Sequence, residues 1–287
     1  MNGLWFERAS EEKTAIFIHI PKTAGSTLNS IIERQYPLES ICSIYPENAT
    51  VPGGILLSSG DQLAELNEAD LARIRLLRTH LSFGVHGYLP GPSTYFTILR
   101  DPIERIISFY YFVSALPESL RPDYFPSKSP DLRDFLEEKV TIEVDNAQTR
   151  MLSGDLHTVP FGQCTKEDLE KAKRNLREHF AVVGLAERFD ETLILLRRAL
   201  GWKGGISYKR QNVTRKRPKK SDLSTETLNA IAKANRLDIE LYRYAEDLFE
   251  RQIQQYGITF TIQAKMFEIS KRFEPIRQKL QTVFLLS

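Results

Sequence analysis

The sequence predicts an α/β fold, with one domain built on a central, mostly parallel sheet that is flanked by helices. Amphipathic helical patterns separate short apolar runs, and this alternation indicates a parallel sheet covered on both faces. We expect a single domain over residues 1–287, with a core at about 15–257 and a helical extension at 258–287. Four apolar runs rich in β-branched and aromatic residues are typical of buried strands: 15–20, 74–80, 95–100 and 180–187.

Capping residues mark where three of the predicted helices begin. Asn67 precedes the helical pattern EADLARIR, and Pro102 occupies the first position of PIERIISFYYFV. Thr165 and Asp168 have the spacing of a capping box. Each signal satisfies backbone N–H groups that the first helical turn leaves without partners, so we expect helices to start at these three places.

The C-terminal part of the chain is predicted to be helical. Residues 224–257 form a long amphipathic pattern that we expect to be one helix ending at Gly257. The following segment, 264–287, is apolar and basic, and Pro275 is expected to interrupt it. Packing on the domain is the default prediction for this segment. Pairing in a homodimer and lying on a membrane surface are the alternatives.

Composition excludes several classes of partner. The formal net charge is +2, from 39 basic and 37 acidic residues, so overall charge does not favour a nucleic-acid partner. Two cysteines, Cys42 and Cys164, cannot build a disulfide framework, and no histidines have metal-ligand spacing, so no metal is expected. No run reaches the roughly 20 apolar residues of a membrane span, and residues 1–13 lack a signal-peptide pattern. We therefore expect no transmembrane segment and a cytoplasmic location.

A small-residue loop, PKTAGST, joins the first predicted strand to a helix. Five backbone N–H groups at this helix N-terminus can surround a phosphate, and Lys22 adds positive charge. They belong to Thr23, Ala24, Gly25, Ser26 and Thr27. In a Walker A loop the lysine directly follows the last glycine, whereas Lys22 precedes Gly25 by three residues. The pattern predicts a nucleotide-phosphate site that is not built for ATP and Mg²⁺; the alternative is an ordinary strand-to-helix turn.

A second strand-to-helix junction, YFTILRDPIERIISFYYF, carries a similar arrangement. Arg100 ends the strand and Ser108 lies on the following helix, so the two can converge on a second phosphate. We expect Arg105 to form a surface ion pair with Glu104 or a neighbour. Because parallel strands bind ligands at their carboxyl ends, both junctions should face one crevice.

These two motifs together resemble those of the PAPS-dependent sulfotransferases, where PAPS is 3′-phosphoadenosine 5′-phosphosulfate. The chain is most similar to the carbohydrate O-sulfotransferase branch, which includes heparan sulfate 2-O-sulfotransferase and bacterial relatives. RTHLSFGVHGYLP, DNAQTRMLSG, VVGLAERFDETLILLRRALGW and NVTRKRP extend the resemblance over most of residues 15–250. It implies a P-loop-like sulfotransferase fold, PAPS as co-substrate without a metal, and a hydroxylated acceptor such as a carbohydrate or glycolipid.

The resemblance also implies roles for individual residues. Lys22 corresponds to the lysine that stabilises charge on the leaving phosphate oxygen, and His80 to the histidine that takes the proton of the acceptor hydroxyl. The first loop would hold the 5′-phosphosulfate, and Arg100 with Ser108 the 3′-phosphate. Thr214 and Arg215, in the basic segment 208–222, are predicted to contact the cofactor.

Four further residues are candidates for binding the acceptor. Arg78 lies two residues before His80, and His86 lies six residues after it. Asn146 and Arg150 are four apart in a helical pattern and can share one face. The alternatives are a solvated strand-end arginine for Arg78 and pairing on a helix surface for the last two.

Two other functions remain open at the level of sequence. A P-loop nucleotide or small-molecule kinase would need Mg²⁺, and the position of Lys22 disfavours it. A non-catalytic nucleotide- or glycan-binding module would not need both Lys22 and His80.

Overall fold

The computed structural model describes residues 13–45, 54–117, 119, 131–138, 141–209, 211 and 220–284, with side chains to residue 273. Its centre is a six-stranded sheet in the order β3-β2-β4-β1-β5-β6, in which every pairing is parallel. All five residues of the central strand β1 are buried, so helices and loops cover both faces of the sheet. The strands are β1 Thr14–Ile18, β2 Ile41–Ile44, β3 Ile55–Leu57, β4 Leu76–Thr79, β5 Ser93–Leu99 and β6 Phe180–Leu185.

The predicted α/β class and four of these strands are confirmed. The four apolar runs of the sequence became β1, β4, β5 and β6. The strands β2 and β3 were not predicted, because runs of three or four residues are too short for a periodic pattern to show. They form an edge of the sheet, where β2 pairs with β4 from Ile41 to Ile44.

Helices connect the strands and begin at the predicted caps. The Asn67 side chain accepts a hydrogen bond from the Asp70 N–H, Pro102 opens its helix, and Thr165 with Asp168 forms the capping box. The helices are α1 Gly25–Ile32, α2 Asp61–Ala64, α3 Glu68–Arg73, α4 Pro102–Ser114, α5 Leu132–Glu137, α6 Ala147–Ser153, α7 Lys166–His179, α8 Phe189–Ala199, α9 Thr225–Ala234, α10 Arg236–Tyr256 and α11 Ile258–Phe284.

The prediction of a single helix over 224–257 is wrong, because the helical conformation is interrupted at Asn235, between α9 and α10. Asn235 has φ −118° and ψ 33°, outside the helical region. Its side-chain amide donates to the carbonyls of Val144 and Ile231, and its oxygen accepts from the Asn146 N–H. The bonds to Val144 and Asn146, about 90 positions away, fix the interruption, and no local pattern encodes them. The predicted end at Gly257 is confirmed.

Helix α11 continues through Pro275, so the predicted interruption is also wrong. Proline removes one intrahelical N–H bond, and here the helical backbone extends across that loss. One side of α11 packs on α8 and α10, with Phe260 buried and Lys271 paired with Asp190 at 2.8 Å. The other side exposes five large apolar residues: Ile258, Ile262, Met266, Ile269 and Phe273. Packing on the domain is confirmed, while the homodimer stays a prediction.

Helices α6 and α10 cap each other. The buried carboxylate of Asp238 accepts from the N–H groups of Gln148 and Thr149 at 3.1 and 2.7 Å, at the start of α6. The side-chain oxygen of Asn146 accepts from the Leu237 N–H at 2.9 Å, at the start of α10. This exchange of capping hydrogen bonds joins the N-termini of the two helices. Within the described part of the chain, no helix is long and apolar enough to cross a membrane.

The exchange predicts a specific loss of stability. Asp238→Ala removes the acceptor for two buried N–H groups, so the free energy of unfolding should fall by about 1–3 kcal/mol. Asp247→Ala on the exposed side of α10 is the matched control and should change it by about 0.5 kcal/mol or less. Urea unfolding followed by circular dichroism measures both values. Equal losses for the two variants would show that the capping contributes nothing specific.

Candidate functional site

The candidate site lies at the carboxyl ends of three adjacent strands. Strand β1 lies between β4 and β5, and the chain fills one side of β1 before it crosses to the other, which makes β1 the topological switch point. Lys22 follows β1, His80 follows β4, and Arg100 follows β5. Ligands of open parallel sheets bind at such a point. The predicted convergence of the two junctions on one edge of the sheet is confirmed.

The loop between β1 and α1 has an unusual backbone. Lys22 and Ala24 have φ values of 70° and 72°, in the left-handed region that residues other than glycine seldom occupy. Left-handed residues turn successive N–H groups toward one side, and such concave turns bind anions. Ala24 is also the N-cap of α1, and its methyl side chain cannot cap the first N–H groups of the helix. The loop therefore presents backbone donors at a helix N-terminus, as a phosphate site requires.

Two arginines from the second junction hold this loop by its carbonyl groups. Arg100 donates to the Lys22 carbonyl at 3.0 Å, and Arg105 donates to the Pro21 carbonyl at 3.4 Å. Arg105 is fully buried and also pairs with the Glu143 carboxylate at 2.9 Å and with the Glu143 carbonyl. The predicted surface ion pair of Arg105 is therefore wrong, since its partner comes from a segment 38 residues away. Hydrogen bonds therefore join the two predicted phosphate motifs directly.

Arg100 and Ser108, the residues predicted to bind a second phosphate, differ in exposure, and their phosphate contact stays a prediction. Arg100 is partly exposed and lies 3.5 Å from Glu104 and 3.9 Å from Glu187. These ion pairs are long and leave the guanidinium at the surface of the site. Ser108 lies two turns into α4 and is 8% exposed. The pair can contribute a bidentate cation and a hydroxyl to an anion at this position.

The loop hydroxyls have different tasks. The Thr23 hydroxyl is buried and donates to the Ile20 carbonyl at 2.8 Å, so it stabilises the loop itself. The Thr27 hydroxyl accepts from the Gln211 N–H at 3.1 Å and so ties the loop to the start of the basic segment. Ser26 is half-buried. Thr214 and Arg215 lie outside the described residues, and their cofactor contacts stay predictions.

Gly25 is required by the packing of His19. A Cβ atom at Gly25 would lie 1.9 Å from Nε2 of His19, a distance that no side chain allows. The His19 ring is buried, and its Nδ1 lies 3.2 Å from the Tyr45 hydroxyl. Burial, followed by the charges of His80, Lys22 and Arg78, lowers the pKa of His19 well below its ordinary value. His19 is therefore neutral and fills the space beneath the loop.

The His80 ring is held by a contact that fixes which of its nitrogens carries the proton. Its ring stacks on His19 with centroids 4.4 Å apart, and its Nδ1 lies 2.8 Å from the His19 carbonyl. A carbonyl only accepts, so Nδ1 carries the proton and Nε2 keeps its lone pair. Burial lowers the pKa of His80, and the hydrogen bond to His19 and the charge of Glu143 partly offset that effect. The ring is neutral at pH 7, as a proton acceptor must be.

Three of the four predicted acceptor-binding residues are buried in structural networks. Arg78 is fully buried and donates to the Ser43 hydroxyl and the Glu33 carboxylate, both at 2.8 Å. Arg150 is fully buried and pairs with Asp145, and it donates to the carbonyls of residues 159 and 160. Asn146 is the cap of α10 described above. Burial and existing partners contradict direct acceptor binding by these side chains, and neither alternative from the sequence holds.

His86 lies in a separate aromatic cluster. Its Nδ1 is 2.7 Å from the hydroxyl of Tyr95, and its ring stacks on His179. Tyr95 stands near the beginning of β5 and His179 directly before β6, so this cluster lies where these strands start. The candidate site is at the opposite ends of the strands. The predicted acceptor role of His86 is therefore contradicted by its placement.

The structure adds residues that the sequence did not single out. Tyr45 bonds to His19 and meets the His80 ring edge-on at 4.6 Å, and Glu143 pairs with Arg105. Phe112 contacts Lys22. Tyr45 and Glu143 carry no sequence signal, because each follows an irregular or short element. Phe112 did carry a sequence signal, because it lies four residues after Ser108 and therefore on the same face of α4.

Comparison with known proteins places these residues in a family. The galactose-3-O-sulfotransferase family model matches residues 7–284. Heparan-sulfate 6-O-sulfotransferase 1-B of Danio rerio is 27% identical over 85% of this chain and 67% of its own length. Heparan-sulfate 6-O-sulfotransferase 1 of Homo sapiens is 26% identical, over 83% of this chain and 66% of its own length.

A further curated relative agrees with this placement. Galactose-3-O-sulfotransferase 2 of Mus musculus is 26% identical, over 83% of this chain and 62% of its own length. The chain thus spans about two thirds of the length of these curated relatives. Mouse sulfotransferase SULT7A1 complexed with PAP has a TM-score of 0.38 and 15% identity, over 79% of this chain and 64% of that chain, a likeness too distant to assign any residue. Because the family model spans nearly the whole chain, this protein belongs to the galactose-3-O-sulfotransferase family.

Proposed function

We propose that this protein is a PAPS-dependent O-sulfotransferase that transfers a sulfuryl group to a hydroxyl of a saccharide or glycoconjugate. One observation carries the proposal: the proton on His80 Nδ1 is held by the carbonyl of His19, three residues before Lys22. A base and a cation are thus fixed to the end of the same strand. Family membership and the names of the relatives support the same reaction class.

The residues of the site divide the reaction between them. Backbone N–H groups of 23–27 and the ammonium of Lys22 would bind the 5′-phosphosulfate, and Arg100 with Ser108 the 3′-phosphate. The acceptor oxygen attacks sulfur while the bond to the phosphate oxygen breaks, and the electron pair stays on that oxygen beside Lys22. Nε2 of His80 takes the acceptor proton. Each group stabilises charge that develops during transfer, so positioning is the main contribution of the protein.

The acceptor is proposed from the relatives and from the chemistry of the base. The relatives are named for hydroxyls of heparan sulfate and galactose, so we infer a saccharide hydroxyl here. The buried arginines Arg78 and Arg150 are already paired and do not recognise an anionic saccharide. Comparing transfer to heparan sulfate with transfer to galactose-terminated oligosaccharides would assign the acceptor class.

Two expectations about the whole protein stay proposals. A cytoplasmic location would be tested by cell fractionation with the full-length chain. A homodimer through α11 would be tested by sedimentation, with Ile262→Glu and Met266→Glu as variants of the exposed side. A single sedimenting species of monomer mass for both the wild type and the variants would reject the homodimer proposal.

The second phosphate site predicts nucleotide selectivity. Adenosine 3′,5′-bisphosphate (PAP) should bind more tightly than AMP, because the proposed site offers a 3′-phosphate the guanidinium of Arg100 and the hydroxyl of Ser108. A hydrogen bond to a charged group contributes about 1.5–3 kcal/mol, so Arg100→Ala should weaken PAP by roughly 10- to 150-fold more than it weakens AMP, for which only the contact of Arg100 with the Lys22 carbonyl is lost. Isothermal titration calorimetry measures both affinities, with Arg73→Ala as the exposed control. Equal affinity of the wild type for PAP and AMP would reject the assignment.

The contact between Arg105 and the loop predicts a separable effect on binding. Arg105→Met leaves the Glu143 carboxylate partly buried without its partner and should lower the free energy of unfolding by about 3–5 kcal/mol. Arg105→Met with Glu143→Leu removes both charges and should restore most of the stability. PAP affinity should stay weak in this double variant, because the Pro21 carbonyl is still released. Recovery of affinity together with stability would show that Arg105 does not hold the loop.

The environment of His80 predicts the pH dependence of transfer. Removing a general base costs about 10²- to 10⁴-fold, so His80→Ala should lower kcat by that factor with PAP affinity nearly unchanged. The base works only when neutral, and burial sets its pKa below 6.5, so the wild-type rate should fall only as pH drops through a midpoint below 6.5. His86→Ala should keep both kcat and this acidic limb. EDTA should not change the rate. Phosphoryl transfer from ATP·Mg²⁺ that EDTA abolishes, without sulfuryl transfer from PAPS, would favour a kinase instead.

A further inference from the structure

The ammonium group of Lys22 lies on an aromatic ring. Its Nζ is 4.0 Å from the centroid of Phe112, within the distance of a cation–π contact. Phe112 is 43% exposed, although large apolar side chains on α4 are otherwise mostly buried or half-buried. An exposed phenylalanine at the edge of a charged crevice gains little from hydrophobic burial. The contact with the Lys22 ammonium accounts for an aromatic ring at this exposed position.

Helix α4 and the residues just before it contact both the backbone and the side chain of Lys22. Arg100, directly before α4, donates to the Lys22 carbonyl at 3.0 Å. Phe112, in the last part of α4, lies under the Lys22 ammonium. Ser108 lies one turn before Phe112 on the same face. The side of α4 that is predicted to bind the 3′-phosphate therefore also sets where the charge of Lys22 is placed.

Lysine needs such a support because its side chain is long. The ammonium sits on a flexible four-carbon stem, so the left-handed backbone at φ 70° fixes where the stem starts but not where the charge ends. A cation that stabilises a leaving oxygen must be within hydrogen-bond distance of that oxygen when the bond breaks. A ring that holds the ammonium lowers the number of positions it samples.

We propose that Phe112 is a positioning residue that holds the Lys22 ammonium for sulfuryl transfer, an inference that rests on the proposed function. An ammonium has three N–H bonds, so it can contact the ring face on one side and the leaving phosphate oxygen on another. During transfer the acceptor O–S bond forms and the S–O bond to phosphate breaks. The electron pair remains on the phosphate oxygen, the proton moves to His80, and Lys22 stays protonated throughout.

Kinetics of matched variants test the role. Phe112→Leu keeps an apolar side chain but removes the ring face, and should lower kcat about 2- to 30-fold, the range of cation–π contacts. Phe112→Tyr keeps the ring and should restore most of the rate. PAP affinity should change by less than about threefold in both, since the effect belongs to the transfer step. Tyr111→Leu removes a half-buried ring from the same turn and is the control.

Incorporation of fluorinated phenylalanines at position 112 separates electrostatics from packing. Successive fluorines weaken the negative face of the ring at nearly constant shape, so kcat should fall stepwise with their number. Wild-type transfer is measured from labelled PAPS to heparan sulfate and to galactose-terminated oligosaccharides. A rate that is independent of fluorination, or an equal loss in Tyr111→Leu, would overturn the role of Phe112 while leaving the sulfotransferase proposal intact.

A readout that needs no turnover keeps the two proposals apart. Protons of the Lys22 side chain beside the ring should show ring-current shifts by NMR. These shifts should disappear in Phe112→Leu and persist in Tyr111→Leu. Absence of the shifts in the wild type rejects the contact itself. If the shifts are present but no transfer occurs to either acceptor, the proposed function fails, and with it the catalytic role of Phe112.

Discussion

Everything in the site depends on two arginines that bind backbone carbonyls of a loop. Arg100 and Arg105 hold the carbonyls of Lys22 and Pro21, and this contact fixes a turn in which Lys22 and Ala24 are left-handed. Left-handed conformations of residues other than glycine persist only where surrounding contacts determine them. The cost of burying Arg105 is offset by Glu143, whose carboxylate and carbonyl both accept from the guanidinium. A charge network thus maintains the concave row of N–H groups.

The same strand end also positions His80, the proposed base. The His19 ring fills the space under Gly25 and stacks on His80. The His19 carbonyl accepts a hydrogen bond from Nδ1 of His80. The loop follows β1, and His80, which follows β4, is hydrogen-bonded to the carbonyl of His19 at the end of β1, so a shift of this strand end affects both. The distance between the leaving group and the base is therefore set by the sheet rather than by flexible loops. This arrangement suits a reaction in which the protein mainly positions groups and stabilises charge.

The sequence predicted those parts of the molecule that have local causes. Strands β1, β4, β5 and β6, the helix caps and the phosphate loop all follow from short patterns. The burial of the residues that were predicted to bind the acceptor could not be predicted, because it depends on partners that are distant in sequence. Arg78 pairs with Glu33, 45 residues away, and Asn146 caps a helix that starts 90 residues later. Charged residues near a motif look the same in sequence whether they face solvent, ligand or a buried carboxylate.

A crystal structure of the complex with PAP would test the central claim most directly. The account predicts the 5′-phosphate against the N–H groups of residues 23–27 and the 3′-phosphate between Arg100 and Ser108. In that complex Arg105 should still bind the Pro21 carbonyl and Glu143, as it does here. A PAP molecule whose 3′-phosphate contacts neither Arg100 nor Ser108, or whose 5′-phosphate lies outside the β1–α1 loop, would contradict the account.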